Sequence, residues 1–454
     1  MLLTKDKNFY RSLFLLAIPI ALQNLVTFSV GMADNVMVGA LGDTAVSGLY
    51  MGNQIQTLLQ IFSGGIEAAI LVLAAQYWGK RDTESIRRIT SIGIRASLAF
   101  GLMITVICAL FPARVISLFT PDTGIIECGA EYLRIVCFSY VFFCLTQSLI
   151  ASMRAVETAR IGLTVSLVSL FINLILNYIL IFGKFGAPAL GVSGAAIATL
   201  VARIFETAII VIYVLFKDKK LRFSFKELLK TDKGLLFDFV KYGSPLIAGQ
   251  LVWATNMMAN SSIMGRQSEI GIVAALSIAN TMGNLAYVVM NGMSGAVGII
   301  TGKTVGAGQK EKMKEYSKTV QIIFLALGIL TGLTILFLRT PFISMYNVSS
   351  EAVSQAKTLI AVLSVTSVFT CYQAACLFGL VKSGGDISFV FKNDFIFVFF
   401  VVIPSALIST YLGAPAWVVF ACLKCDQVLK CFVAVVKINR YNWMKNLTKT
   451  SNIK

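Results

Sequence analysis

The chain contains no histidine, and charged residues make up only 13% of its 454 positions. The absence of histidine excludes His-based catalytic triads, histidine-ligated metals and histidine proton relays. Soluble domains carry about 25% charged residues, whereas 57% of this chain is hydrophobic and its mean hydropathy is +0.80. Because a water-soluble protein of this size could not bury that much apolar surface, the composition predicts a polytopic membrane protein.

Acidic residues are scarce as well: 22 Asp and Glu stand against 39 Lys and Arg, giving a net charge of +17. In a soluble protein this excess would indicate a nucleic-acid partner. Here the basic residues cluster in short loops between apolar segments, where they fix topology and meet anionic lipid. We therefore expect the lipid bilayer as a partner and no nucleic acid.

Cysteine is present, but not in a disulfide pattern. The nine cysteines are odd in number and lie mostly in apolar segments, which indicates reduced thiols. Cys422 and Cys425 form a CxxC motif inside an apolar stretch, where we expect neither redox nor metal chemistry.

A membrane-spanning helix needs about 20 mostly apolar residues, and twelve segments of the chain qualify. They run over 12–39, 44–76, 91–112, 131–153, 161–183, 190–216, 237–264, 271–302, 319–338, 357–381, 390–411 and 413–436. No segment outside them is long enough for a soluble domain. The first span lacks a convincing cleavage site, so we expect a transmembrane helix there and not a removable signal.

The basic residues alternate between the two sides of these spans. One set of loops and both termini hold 30 Lys and Arg, and the opposite set holds 6. This asymmetry places both termini in the cytoplasm of a multi-pass protein of the plasma, or inner, membrane. The count includes Lys430 in the C-terminal tail.

The two halves of the sequence resemble each other weakly. AIPIALQ with Pro19 corresponds to SPLIAGQ with Pro245, and Gly79 corresponds to Gly306, at offsets of 226 to 228 residues. Two six-span copies that enter from the same side imply a pseudo-two-fold axis along the membrane normal. We expect an all-α integral membrane protein of twelve transmembrane helices in two six-helix bundles, an architecture typical of transporters. The predicted division is a lobe at 1–220, a cytoplasmic linker at 221–236, a second lobe at 237–440 and a tail at 441–454.

Asp34 is the strongest candidate site residue, because a charge in the hydrocarbon is costly and therefore functional by default. It follows Arg11 by 23 residues, about 34 Å of helix, which places it in the outer half of the membrane. Asn173 and Asn177 share one face of the fifth span, and Thr199 lies in the sixth. Their oxygens suit a hard cation, and the carboxylate could equally carry a proton. The alternatives are an interfacial end-cap for Asp34 and interhelical hydrogen bonds for the asparagines.

Other charges within the spans have two interpretations each. Arg203 and Glu206 lie three residues apart and can pair on one helix face, as a structural ion pair or with a secondary role in proton or substrate handling. Glu67 follows two glycines in the second span, where it lines an inner cavity or caps a helix contact. Lys424 and Asp426, in the last span, face a cavity or pair with each other.

Five motifs, in order, make the chain similar to a known family. They are AIPIALQNL, MADNVMVGALG, AQYWGKRD, LGVSGAAIATL and VGAGQ, and together they resemble the multidrug and toxic compound extrusion (MATE) family over about residues 12–440. The resemblance implies a secondary antiporter, not an enzyme, that needs no cofactor. Such a protein expels small organic, usually cationic, compounds in exchange for H⁺ or Na⁺ by alternating access between two lobes. We expect a monomer.

The resemblance also bears on individual residues. Some MATE proteins have a cation site in the N-terminal lobe that resembles the set of Asp34, Asn173, Asn177 and Thr199, with a second Asp often at the position of Asn177. This chain therefore has at most one carboxylate there, which leaves H⁺ and Na⁺ open. Other MATE proteins use acidic groups in the C-terminal lobe. The positions matching them, near Trp253, Cys371 and Tyr372, are neutral, as is Asn260 at the repeat position of Asp34. We therefore expect ion coupling in the N-terminal half alone.

Further candidates concern cargo recognition and the movement of the first helix. The family's cavity is lined by aromatic, methionine and polar side chains that suit flat cations, with packing as the alternative role for each. The candidates are Asn53, Gln54, Gln250, Trp253, Met257, Asn280, Tyr287 and Met290. Pro19 interrupts the backbone ladder of the first helix and is a candidate hinge.

Two other functions compete with antiport. A lipid-linked oligosaccharide flippase of the same superfamily would need further helices and a cationic cavity, and few Arg or Lys are expected near this one. A channel does not explain a duplicated fold with one asymmetric carboxylate.

Overall fold

The computed structural model describes residues 3–230, 232–346 and 348–448, and all regular secondary structure in those ranges is helical. The first-half helices are α1 (Lys7–Gly39), α2 (Asp43–Gly79), α3 (Thr83–Leu110), α4 (Pro112–Ser117), α5 (Thr123–Val136), α6 (Ser139–Ala155), α7 (Arg160–Phe182) and α8 (Gly191–Ile212). The second-half helices are α9 (Lys233–Gly265), α10 (Ile272–Gly306), α11 (Lys310–Ile343), α12 (Ser350–Gln373), α13 (Ile387–Phe397), α14 (Ile403–Tyr411), α15 (Ala416–Leu423) and α16 (Cys425–Asn439).

Short non-α segments extend or join several of these helices. Wider π-helical turns occupy Tyr213–Lys217, Ala374–Lys382 and Val398–Val402, and a 3₁₀ turn occupies Phe225–Leu229. The second of these turns continues α12, and the third joins α13 to α14. Each predicted span therefore corresponds to helical structure, although several spans are assembled from more than one element.

By length and composition, nine helices in the described ranges are apolar enough to cross a membrane, and one bent pair brings the number to ten. α9 has the length, 33 residues, but its Asn, Gln, Ser and Thr side chains lower its hydropathy. The molecule is therefore a multi-pass membrane protein.

Two predicted spans are not single straight helices. The span predicted at 131–153 consists of α5 and α6, which meet at an angle of 52°. The span predicted at 413–436 is interrupted at Lys424, between α15 and α16. Neither the bend nor the break could be predicted from hydropathy, because hydropathy depends on side chains and carries no information on where the backbone hydrogen-bond ladder breaks.

Contacts divide the chain into two compact units. The first unit is Leu22–Ile247, and the second joins the N-terminal residues through Ala21 to the chain from Ala248 onwards. The boundaries fall inside α1 and α9, two residues after Pro19 and Pro245 respectively. The division into lobes at the 221–236 linker stays a prediction.

In the first unit, small residues allow close helix contacts. A Cβ added at Gly194 of α8 would lie 2.6 Å from the carbonyl oxygen of Leu180 on α7. Within lipid the hydrophobic effect does not drive helices together, so close van der Waals packing of this kind is a main source of helix association. The contact fixes the spacing of α7 and α8, the two helices that carry Asn173, Asn177 and Thr199.

In the second unit, two polar clusters hold loop segments against the helices. The carboxylate of Asp6 accepts from the Tyr316 hydroxyl at 2.6 Å and pairs with Lys312 at 3.0 Å, and these contacts lower the pKa of Asp6 to about 2. Asp386 pairs with Lys437 at 2.6 Å and Lys445 at 2.7 Å. Although burial acts to raise the pKa of Asp386, the hydrogen bonds from the two lysines lower it below its ordinary value.

Candidate functional site

The Asp34 side chain, on α1, is buried in the first unit and contacts α7. Its Oδ1 accepts a hydrogen bond from Nδ2 of Asn177. Asp34 is 9% exposed and Asn177 is 0% exposed, so water does not solvate this contact freely. The pair predicted from the depth of the two residues along their helices is therefore present as a direct contact.

Asn173 and Thr199 extend this contact into a chain of polar groups. Asn177 Nδ2 also donates to Oδ1 of Asn173 at 3.2 Å, and Nδ2 of Asn173 lies 3.5 Å from the Thr199 hydroxyl. The four predicted site residues thus lie side by side on α1, α7 and α8. The spacing of four residues on α7 brings the two asparagines together, because residues i and i+4 share a helix face.

One atom of this four-residue polar site lacks a hydrogen-bond partner among the described residues. The amide oxygen of Asn177 is buried and accepts no hydrogen bond from any described residue. A buried polar atom without a partner costs about 1–3 kcal/mol, so it fits a ligand that brings its own positive charge or a proton. A carboxylate, amide oxygens and a hydroxyl are the donors that a hard cation prefers; this set fits Na⁺, and the carboxylate also suits a proton.

Sequence reasoning missed Tyr132 as a neighbour of the site. Tyr132, on α5, is 3% exposed, and its hydroxyl donates to Oδ1 of Asn53 at 3.4 Å. Its hydroxyl lies within hydrogen-bonding reach of Thr199 and within electrostatic reach of Asp34. Its position in the sequence could have indicated this, because Tyr132 carries a hydroxyl near the outer end of the fourth predicted span, at the depth predicted for Asp34.

Arg203 and Glu206 form the predicted ion pair. Nη1 of Arg203 lies 2.6 Å from Oε2 of Glu206 on the same face of α8. The guanidinium also lies over the Phe143 ring, 5.1 Å from its centroid. Glu206 is buried and already paired, which favours the structural interpretation, although a secondary role for the pair stays a prediction.

Glu67 lies half-buried on α2. Arg154 lies within electrostatic reach of Glu67, and Nη2 of Arg154 donates to Oε1 of Gln23 at 2.7 Å. Two residues before Glu67, a Cβ at Gly65 would lie 2.6 Å from Cα of Ile247. The glycine therefore serves a close helix contact, while the role of Glu67 stays a prediction.

The candidate cargo residues differ in exposure. Trp253, Met257 and Tyr287 are 44%, 49% and 37% exposed. Asn280 is exposed as well, and Asn53, Gln54 and Gln250 are half-buried. Met290 is 4% exposed and packs against Cys371 and Ala374. This burial favours the alternative role of packing for Met290, because an unbranched apolar side chain readily fills such a gap.

The second unit holds a buried charge cluster that the sequence did not predict. Nζ of Lys430 lies 2.9 Å from Oδ1 of Asp394 and 2.9 Å from Oδ2 of Asp426. Lys430 therefore does not belong to the basic tail, and Asp426 pairs with it and not with Lys424. Reading the tail by charge alone concealed a side chain that is buried and paired.

Metal-binding side chains do not cluster. Across the described ranges, no group of three or more Cys, Asp or Glu side chains could hold a metal ion. The nine cysteines are free thiols.

These features define a helical, multi-pass membrane protein with a buried, oxygen-rich polar site in its first half. The MatE family profile matches residues 19–179 and 245–408. The chain therefore belongs to the MatE family of transporters, whose members are not enzymes. The two matched segments begin at Pro19 and Pro245, the landmarks of the internal repeat.

Individual relatives agree with this assignment. The probable multidrug resistance protein NorM of Agrobacterium fabrum is 26% identical over 80% of this chain and 79% of its own length. The probable NorM of Thermotoga maritima is 24% identical over 79% and 77%. A crystal structure of a MATE protein in the bent conformation superimposes with a TM-score of 0.85, at 17% identity over 97% of this chain and 98% of that one. The twelve-helix, two-bundle layout predicted from the sequence fits the MATE fold.

Proposed function

We propose that this protein is a secondary active antiporter that exports small organic, cationic compounds in exchange for H⁺ or Na⁺ by alternating access. Its relatives from Agrobacterium fabrum and Thermotoga maritima are named as probable multidrug resistance proteins, which supports small organic cargo. It would act in the plasma membrane as a monomer with both termini in the cytoplasm.

One observation carries the proposal: the buried Asp34 carboxylate is bound by Asn177, whose own amide oxygen has no partner among the described residues. A cation placed here would gain the carboxylate and the amide oxygen together. A proton on Asp34 would instead remove its charge. Either form of loading changes the local charge by one unit inside an apolar bundle, where uncompensated charge is expensive.

Coupling requires no contact between ion and cargo. It requires only that loading Asp34 favour one arrangement of the protein over the other, because a ligand shifts an equilibrium by its differential affinity for the two states. In this account Asn173, Asn177 and Thr199 orient the ion, or a water molecule, against the carboxylate. The exposed aromatic and polar candidates Trp253, Tyr287 and Asn280 contact cargo.

Pro19 is the proposed hinge. A proline inside a helix removes one backbone hydrogen bond and disfavours regular packing of the preceding turn. The boundary between the contact-defined units lies two residues beyond Pro19 in α1, and the repeat-related Pro245 has the same relation to the boundary in α9. This coincidence supports a bend point at each proline.

The test is transport by the wild-type protein in proteoliposomes, with ethidium as cargo. An inward-directed cargo flux is measured under an imposed pH gradient, under an imposed Na⁺ gradient and under neither. We expect one of the two gradients to drive ethidium to an internal concentration above the external one. Protein-free liposomes and the Asn260→Ala variant, altered at the repeat position of Asp34, serve as controls. Equilibration without accumulation under both gradients would contradict antiport and indicate a channel.

A further inference from the structure

The second unit contains a cavity of about 430 Å³ between the beginning of α13 and the end of α16, the α13–α16 cavity. Its walls include Phe389 of α13 and Phe432 and Val436 of α16. The volume falls within the range of small-ligand sites, about 300–1,000 Å³. Because its walls share no residue with the Asp34 site, the cavity is a second place where a ligand could bind.

The apolar walls of the α13–α16 cavity are open at the surface. Phe432 is 67% exposed and Val436 is 52% exposed. Both lie on α16, which forms the second part of the last predicted span, where exposed apolar side chains contact the hydrocarbon chains of lipid. These walls therefore suit the hydrocarbon part of a ligand.

Two basic side chains, Lys437 and Arg440, line the same cavity. Nζ of Lys437 lies 2.6 Å from Oδ2 of Asp386 and 4.2 Å from the centroid of the Phe389 ring. Asp386 also pairs with Lys445, at 2.7 Å. This carboxylate is therefore engaged by two lysines and does not neutralise Arg440.

Arg440 is the basic group of the cavity that is available to a ligand. Its side chain is exposed, and within residues 3–230, 232–346 and 348–448 the guanidinium forms neither an ion pair nor a hydrogen bond. Arg440 directly follows α16, at an end of the unit that the distribution of Lys and Arg predicts to be cytoplasmic. The cytoplasmic leaflet carries anionic lipids. A guanidinium binds a phosphate group through two parallel N–H bonds.

The segment after α16 holds the cavity in shape. Asn442 lines the cavity, and the next residue, Trp443, is fully buried and donates from Nε1 to the carbonyl oxygen of Ile438 at 3.0 Å. The backbone N–H of Lys445 donates to the carbonyl oxygen of Gly384 at 2.8 Å. These contacts fix the segment against the turn before α13, so the cavity is already formed before a ligand binds.

We propose that the α13–α16 cavity binds an anionic phospholipid, with the phosphate group on Arg440 and an acyl chain along Phe432 and Val436. Charge complementarity selects this occupant, because Arg440 and Lys437 would repel a cationic compound. A zwitterionic lipid carries its own cation next to the phosphate and would gain less. A free phosphate ion would leave the apolar walls uncovered.

The experiment compares two lipids that share acyl chains and a phosphate group but differ in net charge. The full-length protein in detergent is titrated with palmitoyl-oleoyl phosphatidylglycerol and with palmitoyl-oleoyl phosphatidylcholine, and the bound lipid is counted by native mass spectrometry. We expect wild type to bind the first phosphatidylglycerol molecule about fivefold more tightly than phosphatidylcholine, the effect of about one basic group near an anionic lipid. Inorganic phosphate, which lacks acyl chains, should compete only weakly.

A pair of charge variants tests the role of Arg440. Arg440→Gln should lower the affinity for phosphatidylglycerol to that for phosphatidylcholine. Arg11→Gln is the matched control, because Arg11 is an exposed arginine of α1 in the same unit and does not line the cavity. It removes the same charge and should leave both affinities unchanged.

A pair of volume variants tests whether the lipid occupies the cavity. Val433 lines it and is half-buried, so Val433→Phe would fill part of the space and should weaken phosphatidylglycerol binding several-fold. Val435 is exposed on the same helix and does not line the cavity, so Val435→Phe should have no effect. Thermal unfolding temperatures confirm folding. If Val433→Phe does not fold, the exposed Arg440 still decides the question.

Four results would overturn the assignment. They are equal affinity of wild type for the two lipids, equal losses in Arg440→Gln and Arg11→Gln, full phosphatidylglycerol binding by folded Val433→Phe, and displacement of the lipid by an equal concentration of inorganic phosphate, which would identify a site for the free ion. Lipid binding is measured without a gradient or a cargo, so failure of the proposed antiport would leave these outcomes unchanged.

Discussion

Asn177 donates a hydrogen bond from its amide nitrogen to the carboxylate of Asp34, across 143 positions of sequence. The contact joins α7 to α1 at a buried point of the first unit. The amide oxygen of Asn177 has no hydrogen-bond partner within the described part of the chain. The pair thus combines a structural contact with an acceptor that a cation could use.

Replacing Asn177 by Asp would place a second carboxylate beside Asp34. Two adjacent carboxylates cannot both ionise unless a cation lies between them. We expect Asn177→Asp to fold but to transport only when Na⁺ is present, with the Na⁺ concentration for half-maximal uptake lowered relative to wild type. The measurement is ethidium uptake against Na⁺ concentration. Asn260→Asp adds an acid at the repeat position in the second unit, and a matching Na⁺ shift there would argue against a specific role for Asn177.

Pro19→Ala tests the hinge. Alanine restores the backbone N–H that proline lacks and removes the ring clash with the preceding turn, so α1 becomes stiffer. We expect normal expression and thermal stability with transport slowed several-fold. Pro341 also lies inside a long helix, α11, but not near a boundary between units, so Pro341→Ala is the control. Unchanged turnover in Pro19→Ala would identify a static kink instead of a hinge.

Gly194→Ala should disturb the site through the backbone. The added methyl group would lie 2.6 Å from the Leu180 carbonyl oxygen, which α7 and α8 can relieve only by moving apart. Overpacking of this kind costs about 1–3 kcal/mol, and the movement would lengthen the 3.5 Å contact between Asn173 and Thr199. We expect a lower thermal unfolding temperature and weaker ion dependence.

A matched substitution controls for the glycine change itself. Gly249 lies inside α9 with no heavy atom within 4 Å of an added Cβ, so Gly249→Ala should be neutral or slightly stabilising, because alanine is the better helix former. Equal destabilisation by both alanines would mean that helix propensity, and not the contact with Leu180, sets the cost.

Asp386→Asn tests the pH dependence of stability. The two lysines lower the pKa of Asp386 in the folded state, so the ionised form stabilises the fold above the ordinary Asp pKa of about 3.9. That contribution is lost as the pH falls through the lowered folded-state value. We expect the variant to be less stable than wild type at pH 7, by about 1–3 kcal/mol, and the difference to shrink below about pH 4. Thermal unfolding of both proteins at pH 7 and pH 3 checks this, and a difference that grows on acidification would contradict it.

Much of the fold and of the candidate site could be predicted from the sequence, for identifiable reasons. Apolar length marks the spans because lipid requires every backbone polar group to bond within its own helix. Helical spacing put Asn173 and Asn177 on one face, and counting along α1 placed Asp34 near their depth. These are properties of single helices and need no knowledge of tertiary contacts.

The misses required information from elsewhere in the fold. The bend between α5 and α6 and the break at Lys424 depend on backbone geometry that hydropathy does not encode. The pairing of Lys430 with Asp394 joins residues on different helices, so a count of basic residues placed Lys430 in the tail. Tyr132 was overlooked because its relation to Asp34 exists only once α1 and α5 are assembled.

Gradient-driven ethidium accumulation by Asp34→Asn in proteoliposomes, measured beside wild type and Asn260→Ala, tests whether Asp34 couples the ion to transport. Asparagine keeps the size of the side chain but removes its charge, so the variant should resemble the permanently loaded state. We expect normal expression and near-complete loss of uphill transport in Asp34→Asn, with only a mild effect in Asn260→Ala. If Asp34→Asn still drives ethidium uphill at close to the wild-type rate, Asp34 does not couple the ion to transport, and Glu67 or the Arg203–Glu206 pair takes its place as the leading candidate.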